Sequence, residues 1–90
     1  MEIKKAAMAG TMESSDAMVK ITPMTGQGIQ LEIESIVMKQ FGKAIRKLVL
    51  QTLEDCSVEE AHISVVDQGA LDCTLKARVQ TAVERAGGDF

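Results

Sequence analysis

The 90-residue chain has no tryptophan, no tyrosine and only two phenylalanines. Platforms that stack the bases of nucleic acids need aromatic faces, so that class of function is disfavoured. Ten basic residues against thirteen acidic ones leave a formal charge of −3, which supplies no strongly basic surface and argues again for no nucleic acid as partner. No apolar run reaches the ~18 residues of a spanning helix. The opening Met1-Glu2-Ile3-Lys4-Lys5 has no apolar signal core behind it, so a cytoplasmic protein with no membrane partner is expected. The two cysteines, Cys56 and Cys73, form neither a CxxC nor a disulfide framework, and in a cytoplasm both are expected to be reduced. His62, the single histidine, cannot complete the four clustered ligands of a structural zinc with two separated cysteines, so no metal is expected.

What remains is an ordinary globular balance, with 46% apolar and 26% charged residues. It predicts one domain over residues 1–90, with 1–4 and 87–90 as frayed tails. A chain of this size buries roughly two thirds of its unfolded surface, which leaves little room for a deep walled active site. Gly10, the Glu13-Ser14-Ser15-Asp16 cluster, Pro23 to Gly28, Gly69 and Gly87-Gly88 punctuate the chain as turns and loops.

Between these marks the periodicity changes. Ala17–Thr22 and Ile29–Glu34 alternate with period two and predict half-buried strands, with Met24–Gly28 as the hairpin loop between them. Lys5–Met12, rich in alanine, is a weaker strand candidate. His62–Val66 alternates again and predicts a short strand. A long helix is expected from Ile36 to about Asp55, capped by Ser35, with Val37, Phe41, Ala44, Ile45, Leu48, Thr52 and Leu53 on its inner face. Gly42 inside it costs ~1 kcal/mol against alanine. A second helix is expected from about Ala70 to Ala86, burying Leu71, Leu75, Val79, Ala82, Val83 and Ala86. The expected fold class is α+β: a two-layer sandwich in which a small, mostly antiparallel sheet of three to four strands packs on two amphipathic helices.

Four groups of residues invite a chemical reading. Ser14 and Ser15 offer adjacent hydroxyls on an exposed turn between two carboxylates, open to esterification or phosphorylation by another enzyme. No base lies nearby in sequence to make either a self-activated nucleophile, and on composition alone the cluster is first a turn former. His62 falls on the polar side of its strand, with no evident orienting partner for acid–base work. Lys39, Lys43, Arg46 and Lys47 lie on one side of the long helix, as a docking patch for an anion or, more simply, a solvated face. Met8, Met12, Met18, Met24 and Met38 suit an adaptable surface but are read first as fillers of a small core. No catalytic residue emerges, so the chain reads as a carrier, adaptor or subunit.

Three separated blocks sharpen this reading. Ala9-Gly10-Thr11-Met12-Glu13-Ser14-Ser15-Asp16, Lys39-Gln40-Phe41-Gly42-Lys43-Ala44-Ile45-Arg46 and Asp67-Gln68-Gly69-Ala70-Leu71-Asp72-Cys73-Thr74-Leu75-Lys76-Ala77-Arg78 resemble, in that order, the acyl carrier protein (gamma) subunit of citrate lyase. The likeness runs from about Ile3 to Ala86. It implies a non-catalytic carrier subunit whose serine holds 2'-(5''-phosphoribosyl)-3'-dephospho-coenzyme A through a phosphodiester. That group would carry acetyl and citryl thioesters for the cleavage of citrate to acetate and oxaloacetate. Ser14 matches the attachment position. Ser15, where the family often has Asn or another small residue, is the second choice. The implied partners are the citrate lyase alpha (acyl transferase) and beta (lyase) subunits and a prosthetic-group transferase. The alternatives are the carrier subunit of malonate decarboxylase, which uses the same kind of group, and a small adaptor domain without one.

Overall fold

The computed structural model describes residues 2–87. Its elements run β1 (Ala7–Gly10), β2 (Ala17–Thr22), β3 (Ile29–Ser35), α1 (Met38–Asp55), β4 (Ala61–Asp67) and α2 (Asp72–Gly87). The strands form one sheet in the order β1-β2-β4-β3. β1 pairs antiparallel with β2 and β2 with β4, whereas β3 runs parallel to β4. Two layers result, a four-stranded sheet and two helices, as the alternating strands and amphipathic helices require.

Val19 and Ile21 of β2 and Ile63 and Val65 of β4 meet Val49 and Leu53 of α1 and Leu75, Val79 and Val83 of α2 in a single buried cluster. Burial of each such side chain favours folding by about 1.5–3 kcal/mol. The other face of the sheet turns Lys20, Gln30, Glu32 and Glu34 to water.

The topology corrects the expected hairpin. β2 and β3 are not neighbours, because β4 inserts between them. Alternation tells a strand which face to bury but not which strand lies beside it. β4 has its odd residues fully enclosed, as befits the centre of the sheet, while the odd residues of β3 are only half-buried at its edge. The 18 residues of α1 supply the crossover that brings β4 back parallel to β3.

Both helices start later than expected. Ser35 ends β3 opposite Asp67, and its Oγ accepts the Val37 N–H at 3.1 Å, so it closes a turn one step ahead of the helix. α1 therefore begins at Met38, and its buried stripe is Gly42, Ile45, Val49, Thr52 and Leu53. Phe41 and Ala44, expected inside, face solvent. Leu71 likewise lies outside α2; its carbonyl accepts the Leu75 N–H at 2.9 Å while its side chain is 70% exposed. None of Met8, Met12, Met18, Met24 and Met38 is buried, so they are not core fillers: the core is closed by branched aliphatics and alanine. The start of the chain is tied down as well. Ile3 joins the core, and the N–H groups of Lys4 and Lys5 donate to Ala86 O at 3.0 and 3.2 Å, so residues 3 and 4 are not frayed. Met1 and residues 88–90 of the expected tails lie outside the described residues.

At Gly42 an added methyl group would meet only the end of the Met38 side chain, 2.9 Å from its Cε. That thioether is partly exposed and can rotate away. Gly42→Ala is expected to stabilise the protein by about 0.5–1 kcal/mol through helix propensity, read from the midpoint of urea unfolding.

Candidate functional site

The loops following β1, β3 and β4 gather at one end of the sheet, because β1 runs out where β2 begins and β3 and β4 are parallel. The first of them carries the two serines. Asp16 N–H donates to Glu13 O at 3.2 Å and closes a four-residue turn over Glu13–Asp16. Ser14 and Ser15 occupy its central positions, both exposed, and Ser15 has φ +64°. A positive φ at the third turn residue is the type II requirement, which glycine or asparagine meets with least strain.

One carboxylate holds this turn. Asp16 Oδ1 accepts from Arg78 Nε at 2.9 Å and from its neighbour Ala17 N–H at 2.7 Å. Asp16 Oδ2 accepts from Arg78 Nη2 at 2.9 Å and Thr11 Oγ1 at 2.6 Å. Thr11 Oγ1 in turn accepts the Glu13 N–H at 3.2 Å. The Arg78 fork, then Thr11, then the Ala17 amide hold the Asp16 carboxyl far below the usual carboxylate range, and the same pairing raises Arg78.

A backbone bridge fixes the turn to the β4–α2 loop. Ser15 N–H donates to Gln68 O and Gln68 N–H to Asp16 O, both at 2.8 Å. A second aspartate stiffens that loop from within. Buried Asp67 accepts Ser35 Oγ–H at 2.8 Å on Oδ2 and Ala70 N–H at 3.0 Å on Oδ1. Gly10 makes the tight exit from β1 possible: its φ is +97°, and a Cβ there would lie 1.8 Å from Ala17 O.

Ser14 thus stands at the tip of a braced turn, and its hydroxyl makes no hydrogen bond to a described residue. His62 is not beside it. It sits at the start of β4, five strand positions or ~17 Å from Asp67, where its Nε2 lies 3.2 Å from Glu32 Oε2. Lys39, Lys43, Arg46 and Lys47 are exposed on the outer side of α1, and of these only Lys39 is in the first turn, at the serine end. Cys73 opens α2 at the serine end, whereas Cys56 follows the far end of α1. Burial, with Asp55 and Glu84 nearby, pushes the Cys56 thiol up. Among the described residues no cluster of three His, Cys, Asp or Glu can hold a metal, and no helix is long and apolar enough to cross a membrane.

The residues that sequence reasoning missed are those that brace the turn. Arg78 lies 62 residues from Asp16, and no local pattern pairs them; it was visible only as the last residue of the third block. The Ser35–Asp67 pair, 32 residues apart, was equally silent.

Two expectations follow. Gly10→Ala is expected to cost about 3 kcal/mol or more in urea unfolding, since a backbone oxygen occupies the space its Cβ needs. Because the Asp16 pKa is depressed in the folded state, its stabilising effect is full above the unfolded carboxyl value of about 4 and is lost as pH falls below it. Unfolding curves from pH 7 down to pH 2 are expected to show this acid loss, and Asp16→Asn to remove its Asp16 share.

The chain matches the family model described as malonate decarboxylase delta subunit, an acyl carrier protein family, over residues 4–86. It is 57% identical over 88 residues to the citrate lyase acyl carrier protein of Streptococcus equi subsp. zooepidemicus, covering 98% of this chain and 86% of that one. It is 56% identical over 86 residues to the citrate lyase acyl carrier proteins of Escherichia fergusonii and Klebsiella pneumoniae, covering 96% of this chain and 89% of each. In fold it matches a chain in the crystal structure of a Pseudomonas malonate decarboxylase hetero-tetramer in complex with malonate, with a TM-score of 0.81 at 20% identity, over 93% of this chain and 86% of that one. With a braced, exposed serine turn and relatives this close along nearly their whole length, the chain belongs to the citrate lyase acyl carrier protein family.

Proposed function

We propose that Ser14 is the attachment point of the carrier's prosthetic group, a phosphoribosyl dephospho-coenzyme A joined through a phosphodiester. The observation that carries this is an exposed hydroxyl on a braced turn, with no described residue hydrogen-bonded to it. Such a serine does not activate itself; it is an acceptor for a transferase that brings its own catalytic groups. When bound, the group supplies a terminal thiol that holds acyl chains as thioesters.

The residues present suit that load. An anionic phosphodiester beside two carboxylates would be repelled. Asp16, however, is neutralised by the Arg78 guanidinium, which leaves Glu13 as the carboxylate open to solvent in the turn. Both helices also begin at this end, and their partial positive charge favours a nearby anion. The turn is the rigid part and the arm the flexible one. A tether of that kind raises the effective concentration of its acyl cargo at every site within reach.

On this reading the chain works in the cytoplasm as the small subunit of citrate lyase. It serves the alpha subunit, which exchanges acyl groups on the carrier thiol, and the beta subunit, which cleaves citrate's carbon skeleton. The second reading is the corresponding carrier of malonate decarboxylase, which the family model's description names. The 54–57% identity to several citrate lyase carriers supports the first over it.

Ser15 is the weaker acceptor on geometry, because its backbone is held in the left-handed region with its N–H tied to Gln68. When the chain is produced with its attaching enzymes, intact mass is expected to rise by one dephospho-coenzyme A-type group. Peptide mapping is expected to place the gain on Ser14. Ser14→Ala is expected to abolish the gain and Ser15→Gly to retain it. An unmodified wild-type chain, under conditions that load another carrier of the family, would overturn the assignment.

A further inference from the structure

The two edges of the sheet are finished differently. β1 is the short edge, four residues long. Gln68 N–H donates to Asp16 O, so the even-numbered residues of β2 turn their backbone groups to β4 and the odd-numbered ones to β1. Met8, opposite Lys20, therefore turns its carbonyl outward, and Arg85 Nη1 of α2 takes it at 2.8 Å. That edge is closed by its own fold.

β3 is the other edge and is seven residues long. Gly28 O accepts the Ala61 N–H at 3.1 Å, and Ile36 N–H donates to Asp67 O at 3.3 Å. In a parallel ladder both backbone groups of a residue point the same way, so the even-numbered residues of β3 face β4 and the odd-numbered ones face outward. The N–H and C=O groups of Leu31 and Ile33 thus line the open edge, with no hydrogen-bond partner among the described residues.

The side chains on the two faces of this edge differ in kind. On the inner face Ile29, Leu31 and Ile33 are only half-buried, whereas Val19, Ile21, Ile63 and Val65 of the central strands are fully enclosed. The helices leave the flank of β3 uncovered, and an open cleft of about 430 Å³ lies between Ile29 and Leu50 of α1. On the outer face stand Gln30, Glu32 and Glu34, all exposed. Among the described residues Glu32 meets only His62 Nε2, at 3.2 Å, and Glu34 has no ion partner.

A strand edge with free donors and acceptors binds extended peptides, the main chain giving affinity and alternate side chains the choice of partner. We propose that the β3 edge takes one extended segment of another protein, in which apolar and basic residues alternate. Its backbone pairs with Leu31 and Ile33. Its apolar side chains close over Ile29, Leu31, Ile33 and Leu50, and its basic ones lie beside Glu32 and Glu34. The two glutamates also select against other occupants. An acidic strand is repelled. So is a second copy of this chain, because an antiparallel pairing of two β3 strands through Gln30–Glu34 sets Glu32 against Glu32. Nothing in this surface involves Ser14, which follows β1 at the opposite edge of the sheet.

The test uses the unmodified full chain and fluorescent heptapeptides in which valine and lysine alternate. Anisotropy is expected to show saturable binding, at least about tenfold tighter than for the same peptide with glutamate in place of lysine. Glu32→Gln/Glu34→Gln changes two exposed side chains and is expected to weaken binding of the lysine peptide about fivefold, with unchanged circular dichroism. Hydrogen exchange followed by NMR is expected to show the Leu31 and Ile33 amides slowed at least about tenfold by the peptide. Two further peptides are N-methylated, one on its valines and the other on its lysines. Only one set of peptide backbone groups can face β3, so one of these is expected to lose binding and the other to keep it. Absence of saturable binding, equal binding of the glutamate peptide, full affinity in the double glutamine variant, unslowed Leu31 and Ile33 amides, or equal behaviour of the two N-methylated peptides would each overturn the proposal. So would a wild-type dimer in sedimentation whose Leu31 and Ile33 amides are already protected, which assigns the edge to a second copy.

Discussion

The Asp16 carboxylate is the point on which the functional end of this protein turns. It collects four hydrogen bonds, two from Arg78 and one each from Thr11 and the Ala17 amide. Without them the segment between Gly10 and Ala17 would be a polar loop with few reasons to hold one shape. With them it becomes a turn of defined hand, locked to α2 by the guanidinium fork and to the β4–α2 loop through Gln68. A charge-assisted bidentate pair is well suited to this task, because it fixes direction as well as distance. The same pairing keeps the carboxylate ionised and compensates its charge, so a fixed anion can lie close to the site proposed for a second one.

A 90-residue chain with one small core has little room for a deep walled site. What this fold does present is a hydroxyl at a stable position, on a turn tied to its neighbours by hydrogen bonds. Asp67 serves the same end from inside the fold: its buried carboxylate ties the end of β3 to the β4–α2 loop, and its backbone carbonyl takes the Ile36 N–H at the start of the β3–α1 connection. The two aspartates lie at adjoining positions, Asp16 just before the Ala17–Asp67 pair that ends the β2–β4 ladder. They convert the end of a sheet into a platform.

Ser15 shows how backbone geometry bears on residue choice. The third position of the turn is left-handed, where a residue that forms local hydrogen bonds or lacks a side chain is least strained. Asparagine, one of the residues that the family resemblance allows at this position, would meet that demand directly, and a serine fills it at some cost in strain. That is a reason to regard residue 15 as shaping the turn and residue 14 as the group it displays.

Period-two alternation in Ala17–Thr22, Ile29–Glu34 and His62–Val66 and the three- and four-residue spacing of the helices were enough to determine the elements, the buried faces of the strands and the α+β class. The punctuation at Gly10, at Glu13–Asp16 and at Gly69 located the loops, and the serine pair marked the turn worth attention. These are local properties, carried by residues within a few positions of one another. The tertiary structure alone decided that β4 lies between β2 and β3, that Ser35 belongs to the sheet rather than to the helix, and that Phe41, Met8, Met12 and Met38 face outward. It alone paired Asp16 with Arg78 and Ser35 with Asp67. Such pairings depend on which strands become neighbours. Neighbours are chosen by the packing of the whole core, and no short stretch of sequence contains that information.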